Sequence, residues 1–412
     1  MTNLKAVFLY STVCNLYILF SVINLTNCYT DEELEKVRYL KRSIMQINYT
    51  NYIIEEKDFI TSIRKKRKVL MKQYKWVSPI NYYVHYTINF RFVFSVVKMI
   101  EKETCIKFQR QKKIPPSSSG IRFIFSRKCS SFMGKQFEEG WQDVGIGHQC
   151  HNFGGILHET LHALGLINEQ CRLDRKFYVT IFDKNINEEC RNNFDKFSKQ
   201  ICYQFPYDYG SIMHDGMYAY SKNGMKTLIP NNRLYELTVG QREMCSFTDI
   251  KALNYHYCSK VCTKKIFCAN YGYQNPKNCN KCKCVEGFGG VYCNSYSRNN
   301  RYCGNSIISV KKNVNFLKIH GKKNCFYHLN SKKQKKILIG ILKINMEQSY
   351  STTCNSNNAF EVKYMEDKSI TGARFCHQKF ARLIESKSSH VILYYRSSKH
   401  YNNVFIYFKE II

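Results

Sequence analysis

The stretch that decides the fold is His158-Glu159-Thr160-Leu161-His162, followed by Ala163-Leu164-Gly165-Leu166-Ile167-Asn168. On a helix, residues four apart project from one face, so His158 and His162 can offer two imidazole nitrogens to one metal ion. Glu159 then lies beside the open coordination position, where a carboxylate acts as a base. Gly165 suits a chain that leaves the helix through a positive φ and doubles back, which brings residue 168 beneath the metal. For the pentapeptide alone, the alternative is an amphipathic helix with hydrogen-bonded histidines.

The continuation of this stretch is more specific than the pentapeptide. It reads Asn168-Glu169-Gln170-Cys171-Arg172-Leu173-Asp174-Arg175 and resembles the long motif of the astacins, a family of metzincin zinc endopeptidases. The resemblance implies one Zn²⁺ per catalytic domain and Glu159 as general base in peptide-bond hydrolysis. Asn168 stands where the family has its third zinc-binding His. Glu169 matches the glutamate that receives the freed amino terminus of the mature enzyme.

A second motif, Tyr207-Asp208-Tyr209-Gly210-Ser211-Ile212-Met213-His214-Asp215, resembles the methionine turn of the same family. Met213 matches the methionine beneath the metal, and Asp215 replaces a tyrosine that stabilises the tetrahedral intermediate. A neutral amide oxygen is a weaker zinc donor than imidazole, so we predict lowered metal occupancy with Asn168 as third ligand. Asp215 is predicted to act through a water or as a further ligand. The alternative function is a catalytically impaired protein that binds proteins or matrix.

The amino-terminal residues 1–28 are typical of a secretory signal peptide, with Lys5 before an apolar run from Ala6 to Leu25. A membrane anchor is the alternative. Because Cys14 and Cys28 lie in this segment, an even number of the 20 cysteines remains downstream, which indicates disulfides in an oxidising compartment. A structural zinc site built from the same residues is the competing interpretation. We therefore predict a secreted, extracellular product without a membrane span.

Residues 29–68 are predicted to be a prosegment. This stretch ends in Arg64-Lys65-Lys66-Arg67-Lys68, which suits a basic-specific processing enzyme; a solvated charge run is the alternative. By the family resemblance, Asp58 matches the prosegment aspartate that caps the zinc, although Lys57 occupies a family glycine.

Residues 69–258 are predicted to form the catalytic domain, an α+β fold with a twisted sheet and the zinc helix. Helical spacing of apolar residues covers Phe92 to Ile100, and strands are predicted at 105–108 and 121–125. The resemblance implies disulfides Cys105–Cys258 and Cys129–Cys150. The cysteines left over are expected to form two further bridges of open pairing: Cys171, Cys190, Cys202 and Cys245.

The remaining chain divides into two further units. Residues 262–293 hold six cysteines. A stretch this short cannot build a large apolar core, so we expect disulfides to stabilise it. The stretch resembles an EGF-like domain, which implies pairing of first with third, second with fourth and fifth with sixth: Cys262–Cys279, Cys268–Cys282 and Cys284–Cys293. Residues 303–412 have short β-rich runs that favour a sandwich and resemble a CUB domain. That resemblance implies Cys303–Cys325 and Cys354–Cys376.

Charge suggests a class of partner. The chain carries 63 Lys and Arg against 31 Asp and Glu, a formal charge of +32. The positive electrostatic potential of such a chain favours acidic partners at modest salt. For a secreted protein these are glycosaminoglycans or anionic matrix rather than nucleic acid. The alternative is a composition bias without a ligand. Extracellular proteins or peptides are the expected substrates.

Overall fold

The computed structural model describes residues 68–70, 75–115, 117–197, 201–203, 205–332, 334–347, 352–377 and 381–412. Within these ranges, no helix combines the length and the apolar composition needed to cross a membrane. The predicted signal peptide and most of the predicted prosegment, including Asp58, lie outside the described residues.

The predicted catalytic region contains a five-stranded sheet packed against helices. The helices of this region are α1 (Phe90–Glu103), α2 (Phe153–Ala163) and α3 (Phe247–Cys258). Its strands are β1 (Lys68–Leu70), β2 (Ile80–Val84), β3 (Phe108–Arg110), β4 (Gly120–Phe125), β5 (Ser130–Ser131), β6 (Trp141–Ile146), β7 (Val179–Ile181), β8 (Ile201–Tyr203) and β9 (Leu228–Pro230). One sheet has the order β3-β2-β4-β6-β5, with β5 alone antiparallel to its neighbour.

The apolar pattern explains how the helices pack. Helix α1 buries Val93, Val96, Val97 and Ile100, one stripe at helical spacing. These side chains join Ile121, Phe123 and α2 residues in one core. The predicted strand at 121–125 is confirmed as β4, whereas the strand predicted at 105–108 begins only at Phe108.

Between α2 and α3 the described chain has little regular structure apart from β7, β8 and β9. Short 3-10 helices occupy Glu169–Cys171, Arg175–Phe177, Asp183–Asn185, Glu188–Phe194 and Arg233–Tyr235. Two disulfides, Cys105–Cys258 and Cys129–Cys150, join distant parts of the region and are the pairs that the resemblance implies. The expectation of two further bridges is wrong for Cys171 and Cys190, which carry no disulfide. Cys171 Sγ instead donates to Asn193 O at 3.0 Å.

The cysteine-dense segment after Cys258 is held by three disulfides. They join Cys262 to Cys279, Cys268 to Cys282 and Cys284 to Cys293, the order implied by the EGF-like resemblance. Its strands are only two residues long: β10 (Tyr273–Gln274), β11 (Cys282–Lys283) and β12 (Phe288–Gly289), the last of which pairs with β13 (Ser295–Tyr296) just beyond the segment. We call residues 262–293 the disulfide module.

The last part of the chain, residues 303–412, is the predicted all-β sandwich. Its strands are β14 (Ile307–Ser309), β15 (Asn315–His320), β16 (Asn324–Asn330), β17 (Lys336–Asn345), β18 (Ala359–Lys363), β19 (Ala373–Phe375), β20 (Arg382–Glu385), β21 (His390–Arg396) and β22 (Asn403–Ile411). They form sheets in the orders β14-β16-β21-β18-β19 and β15-β22-β17-β20. Disulfides Cys303–Cys325 and Cys354–Cys376 are present as the CUB resemblance implies.

The three units pack against one another. The sandwich core and the catalytic region share one apolar cluster, in which the rings of Tyr235 and Tyr364 lie 6.0 Å apart. The disulfide module is tied to the sandwich by Tyr394 OH, which donates to Glu286 O at 2.7 Å. The sandwich and residues 179–239, which follow α2, therefore bury apolar side chains in one shared core, and this burial stabilises their contact.

Candidate metal centre

Helix α2 carries the two histidines, and its ends are set by local sequence. Asn152 caps the first turn, its side-chain oxygen accepting from Gly155 N at 2.9 Å. Gly154 permits close packing, because a Cβ there would meet the Arg242 backbone. The helix ends before Gly165, whose φ of 101° confirms the predicted left-handed exit.

The two imidazoles are oriented by backbone carbonyls. His158 Nδ1 lies 2.9 Å from Ile212 O, and His162 Nδ1 lies 2.7 Å from Leu166 O. Nδ1 must donate in both contacts, which leaves each Nε2 as the metal-facing acceptor. The ring centroids are 4.6 Å apart. Burial lowers the pKa of His162 to about 4 and that of His158 well below its usual range, so both rings are neutral donors.

Asn168, the third ligand predicted from the sequence, is buried next to His162. Its side chain is 7% exposed. It lies within hydrogen-bonding reach of the His162 ring, whose pKa it raises against the larger, lowering effect of burial. Among the described residues, Asn168 Oδ1 has no hydrogen-bond partner. A buried carbonyl oxygen without a donor costs about 1–3 kcal/mol, which a cation would offset. Two imidazole nitrogens and one amide oxygen therefore fit Zn²⁺ with an open fourth position.

The geometry argues against the prediction that Asp215 contributes a metal ligand. Its Oδ1 accepts from Arg242 Nη2 at 2.7 Å, and its Oδ2 accepts from Gln170 Nε2 at 2.6 Å. In the described parts of the chain, no three His, Cys, Asp or Glu side chains form a group able to hold a metal ion. The carboxylate is short and already satisfied by two donors, so it serves to anchor Arg242 and Gln170.

Glu159 is buried beside the histidines at 6% exposure. Burial raises the pKa of Glu159 to about 7; Arg242 works against this shift and the Asp215 carboxylate adds to it. A carboxylate with these properties is able to accept a proton near neutral pH.

The methionine turn packs against α2 in one apolar cluster. Met213 is fully buried, and Met213 O accepts from Glu169 N at 2.9 Å. The Glu169 carboxylate accepts from Arg172 Nη1 at 3.0 Å and from Asp208 N at 2.9 Å. That Glu169 receives a processed amino terminus stays a prediction.

Sequence reasoning missed two residues of this site. Arg242 bonds the carbonyls of Ile212 and His214 at 2.9 and 2.8 Å in addition to Asp215. Tyr220 lies within electrostatic reach of both site carboxylates, and Asp215 is the main cause of its raised pKa. Neither residue follows from a motif or from a periodicity in the sequence, because each reaches the site through loop geometry.

The helix with two aimed imidazoles, the glycine exit and the methionine turn define a zinc-peptidase type of domain. Residues 68–258 match the model of the peptidase family Astacin. The protein is 33% identical over 344 residues to zinc metalloproteinase nas-34 of Caenorhabditis elegans, covering 82% of this chain and 56% of that one. It is 33% identical over 314 residues to zinc metalloproteinase nas-36 of Haemonchus contortus, covering 73% and 51%. The chain belongs to the astacin family.

Solved structures also match parts of the chain. High choriolytic enzyme 1, a hatching-enzyme zinc protease of Oryzias latipes, is 29% identical and covers 46% of this chain and 99% of its own, with a TM-score of 0.41. The CUB1-EGF-CUB2 domains of human MASP-1/3 are 15% identical, covering 35% of this chain and 55% of their own, with a TM-score of 0.23. The chain spans about half the length of the nematode relatives named above.

Proposed function

We propose that this protein is a secreted, zinc-dependent endopeptidase that hydrolyses peptide bonds of extracellular proteins. The observation that carries the proposal is the unpartnered, buried Asn168 Oδ1 beside two histidines whose Nδ1 atoms are already committed to carbonyls, all within the described residues. The three donors are neutral and converge from α2 and the chain that doubles back after Gly165. Zinc, when bound, supplies a Lewis acid for the scissile carbonyl and the attacking water.

The proton transfers belong to Glu159. Its carboxylate accepts a proton from the attacking water and returns it to the leaving amine. Arg242 stabilises negative charge at the site and is itself fixed by Asp215 and two carbonyls. His158 and His162 are kept in one tautomer by their carbonyl partners.

The test is cleavage of a denatured protein by purified, zinc-supplemented protein after removal of the residues before Val69. We expect Glu159→Gln to lower the rate by at least about 10²-fold while zinc content stays that of the parent. A chelator should abolish cleavage, and zinc should restore it. Equal rates for the parent and the Glu159→Gln variant would contradict the proposal.

A second candidate function is ligand binding without hydrolysis. It is favoured by Asn168, which is a weaker donor than imidazole, and by Asp215, whose oxygens are taken by Gln170 and Arg242. A folded protein that takes up no zinc and cleaves nothing, yet binds an unfolded protein equally with and without chelator, would favour this function.

The proposal extends to the ends of the chain. We propose that residues 1–28 are a signal peptide, residues 29–68 a removable prosegment, and residues 69–258, 262–293 and 303–412 the catalytic, EGF-like and CUB-like domains. In residues 303–412 Lys and Arg outnumber Asp and Glu roughly three to one, which supports an acidic matrix partner at low salt. Binding to immobilised heparin no stronger than that of an unrelated protein of equal charge would contradict that partner.

A further inference from the structure

Residues 237–244 form a segment that runs between the sandwich and the metal centre. The sandwich contacts one side of it near the Cys354–Cys376 disulfide: Cys354 N donates to Leu237 O at 2.8 Å, and Thr353 Oγ1 donates to Val239 O at 2.9 Å. Arg374 N donates to Thr238 Oγ1 at 2.9 Å. The segment therefore has fixed partners in the sandwich along its first three residues.

The strongest of these contacts is a charged one. Ser356 N and Ser356 Oγ both donate to Glu243 Oε2, at 2.6 and 2.5 Å. Ser356 is only 3% exposed, so both donors act in a poorly solvated place. Hydrogen bonds to a carboxylate are stronger than neutral ones, and they restrain the residue that carries it. Glu243 is the residue that directly follows Arg242.

The opposite side of the segment contacts the metal centre. Arg242 Nη1 donates to Ile212 O at 2.9 Å, and that same carbonyl accepts from His158 Nδ1. Gln241 Nε2 donates to Gly210 O at 2.9 Å. The Arg242 backbone also lies against α2, where a Cβ on Gly154 would come within 1.5 Å of Arg242 O. Ser356 of the sandwich is thus hydrogen-bonded to Glu243, Glu243 is covalently joined to Arg242, and Arg242 shares the Ile212 carbonyl with His158.

We infer that the sandwich is a built-in support of the metal centre, and that Glu243 and Ser356 are positioning residues acting through Arg242 on the methionine turn and His158. This inference rests on the proposed function only for its effect on metal affinity and rate. Residues beyond the ligands commonly change metal affinity when they orient the ligand rings. The Glu243 carboxylate follows Arg242 in the chain and is held by Ser356 of the sandwich. The sandwich can therefore influence the position of Arg242 and, through it, the orientation of His158.

The experiment compares two variants of the full chain. Glu243→Ala removes the acceptor of both Ser356 donors. Glu385→Ala is the matched control, because it removes one Glu from a sandwich ion pair, Lys336 Nζ to Glu385 Oε1 at 2.7 Å, whose side chains are 43% and 48% exposed. Disulfide content by mass and circular dichroism establish that each variant is folded. Ser356→Ala, which removes one donor only, is the milder second variant.

Two quantities are measured in each variant. Hydrogen exchange of the peptide covering residues 208–216 should be faster in Glu243→Ala than in the parent and unchanged in Glu385→Ala. Co²⁺ affinity, followed by absorption, should fall by about tenfold in Glu243→Ala, less in Ser356→Ala and not at all in the control. Exchange in residues 208–216 that is the same for Glu243→Ala and Glu385→Ala would overturn the inference. A parent that binds no Co²⁺ would argue against the proposed function, and the exchange result would still decide the inference.

Discussion

Two buried glutamates, Glu159 beside the metal centre and Glu361 in the sandwich, have opposite properties. Both are nearly inaccessible, at 6% and 2% exposure. Burial raises the pKa of Glu159 to about 7. At Glu361 burial acts in the same direction but is outweighed by Arg374, Arg396 and other donors, which lower the pKa to about 2. A buried carboxylate with enough cationic partners stays ionised, whereas one with too few can exchange a proton near neutral pH.

The geometry around Glu361 explains its low pKa. Its oxygens accept from Arg374 Nε and Arg396 Nη1, both at 3.1 Å, and from Gly372 N at 2.9 Å. Arg396 also pairs with Glu286 of the disulfide module. The carboxylate therefore links two strands of one sheet and a neighbouring unit, and removal of its charge would leave two buried guanidinium groups without their shared partner.

The largest expected effect separates these two glutamates by stability. Glu361→Gln should lower the free energy of unfolding by about 3–5 kcal/mol, because breaking a buried ion pair leaves uncompensated charge. Glu159→Gln should change it by less than about 1 kcal/mol, since it replaces a carboxylate whose charged form is disfavoured by burial. Urea unfolding of the full chain with intact disulfides measures both.

The contrast between the two glutamates is contradicted if Glu159→Gln lowers the free energy of unfolding more than Glu361→Gln does. A Glu159→Gln variant that unfolds at lower urea than Glu361→Gln would mean that Glu159 is the structural residue. Glu385→Gln, in an exposed sandwich pair, serves as the surface control and should shift the unfolding free energy by less than about 1 kcal/mol.

A smaller effect is expected from the third ligand position. Asn168→His replaces an amide oxygen by an imidazole and should raise zinc affinity about 10- to 100-fold. Asn168→Ala should lower the affinity and, in the metal-free protein, should not destabilise the fold, because within the described residues Asn168 Oδ1 has no donor to lose. Competition with a chromophoric chelator measures the affinities. Identical zinc affinity in Asn168→Ala and the parent would remove Asn168 from the ligand set.

The last prediction concerns the pH dependence of stability and two histidines of the sandwich, His328 on β16 and His390 on β21, which face the disulfide module. His328 Nδ1 lies 3.0 Å from His390 Nε2, and His328 Nε2 lies 3.0 Å from Gly287 O. Burial lowers the pKa of His328 to about 4 and that of His390 to about 3, the latter with help from Lys368. Both values lie below the value of about 6.5 for an unfolded chain.

The sign of the pH dependence follows from these shifts. Between about pH 6.5 and 4 the unfolded state binds more protons at these two histidines, so their contribution to the free energy of unfolding should fall as the pH falls through this window. Glu361 contributes little in this window, because its stabilisation is lost only as the pH falls from its unfolded pKa of about 4.3 towards its folded pKa of about 2. His390→Asn should flatten the dependence measured by thermal unfolding. An unchanged slope would assign the acid sensitivity to other groups.

Much of the site could be predicted from the sequence because its residues lie close together along the chain. His158, Glu159, His162 and Gly165 occupy one helix and its exit, where helical periodicity fixes relative positions. The disulfides of residues 262–293 are the pairs that the EGF-like resemblance implies, whereas cysteine order alone leaves the pairing of six cysteines open.

Interactions between distant segments could not be predicted in this way. Asp215 was expected near the metal, but its partners Gln170 and Arg242 come from separate loops, and only the folded chain brings their donors to its oxygens. Cys171 and Cys190 were expected in bridges, and the fold instead gives Cys171 a backbone acceptor. Side-chain satisfaction depends on three-dimensional neighbours, which residue type alone does not specify.

The sequence by itself determined the helix that carries His158 and His162, the glycine exit after it and the place of Asn168 three residues beyond that glycine. Each of these is local, with a spacing set by the geometry of one helix or one short loop. Only the tertiary structure decided that Asp215 anchors Arg242 and that the sandwich reaches the metal centre through residues 237–244. The contact between Ser356 and Glu243 joins residues 113 positions apart. The packing of whole domains selects such contacts from many alternatives that the same sequence pattern allows.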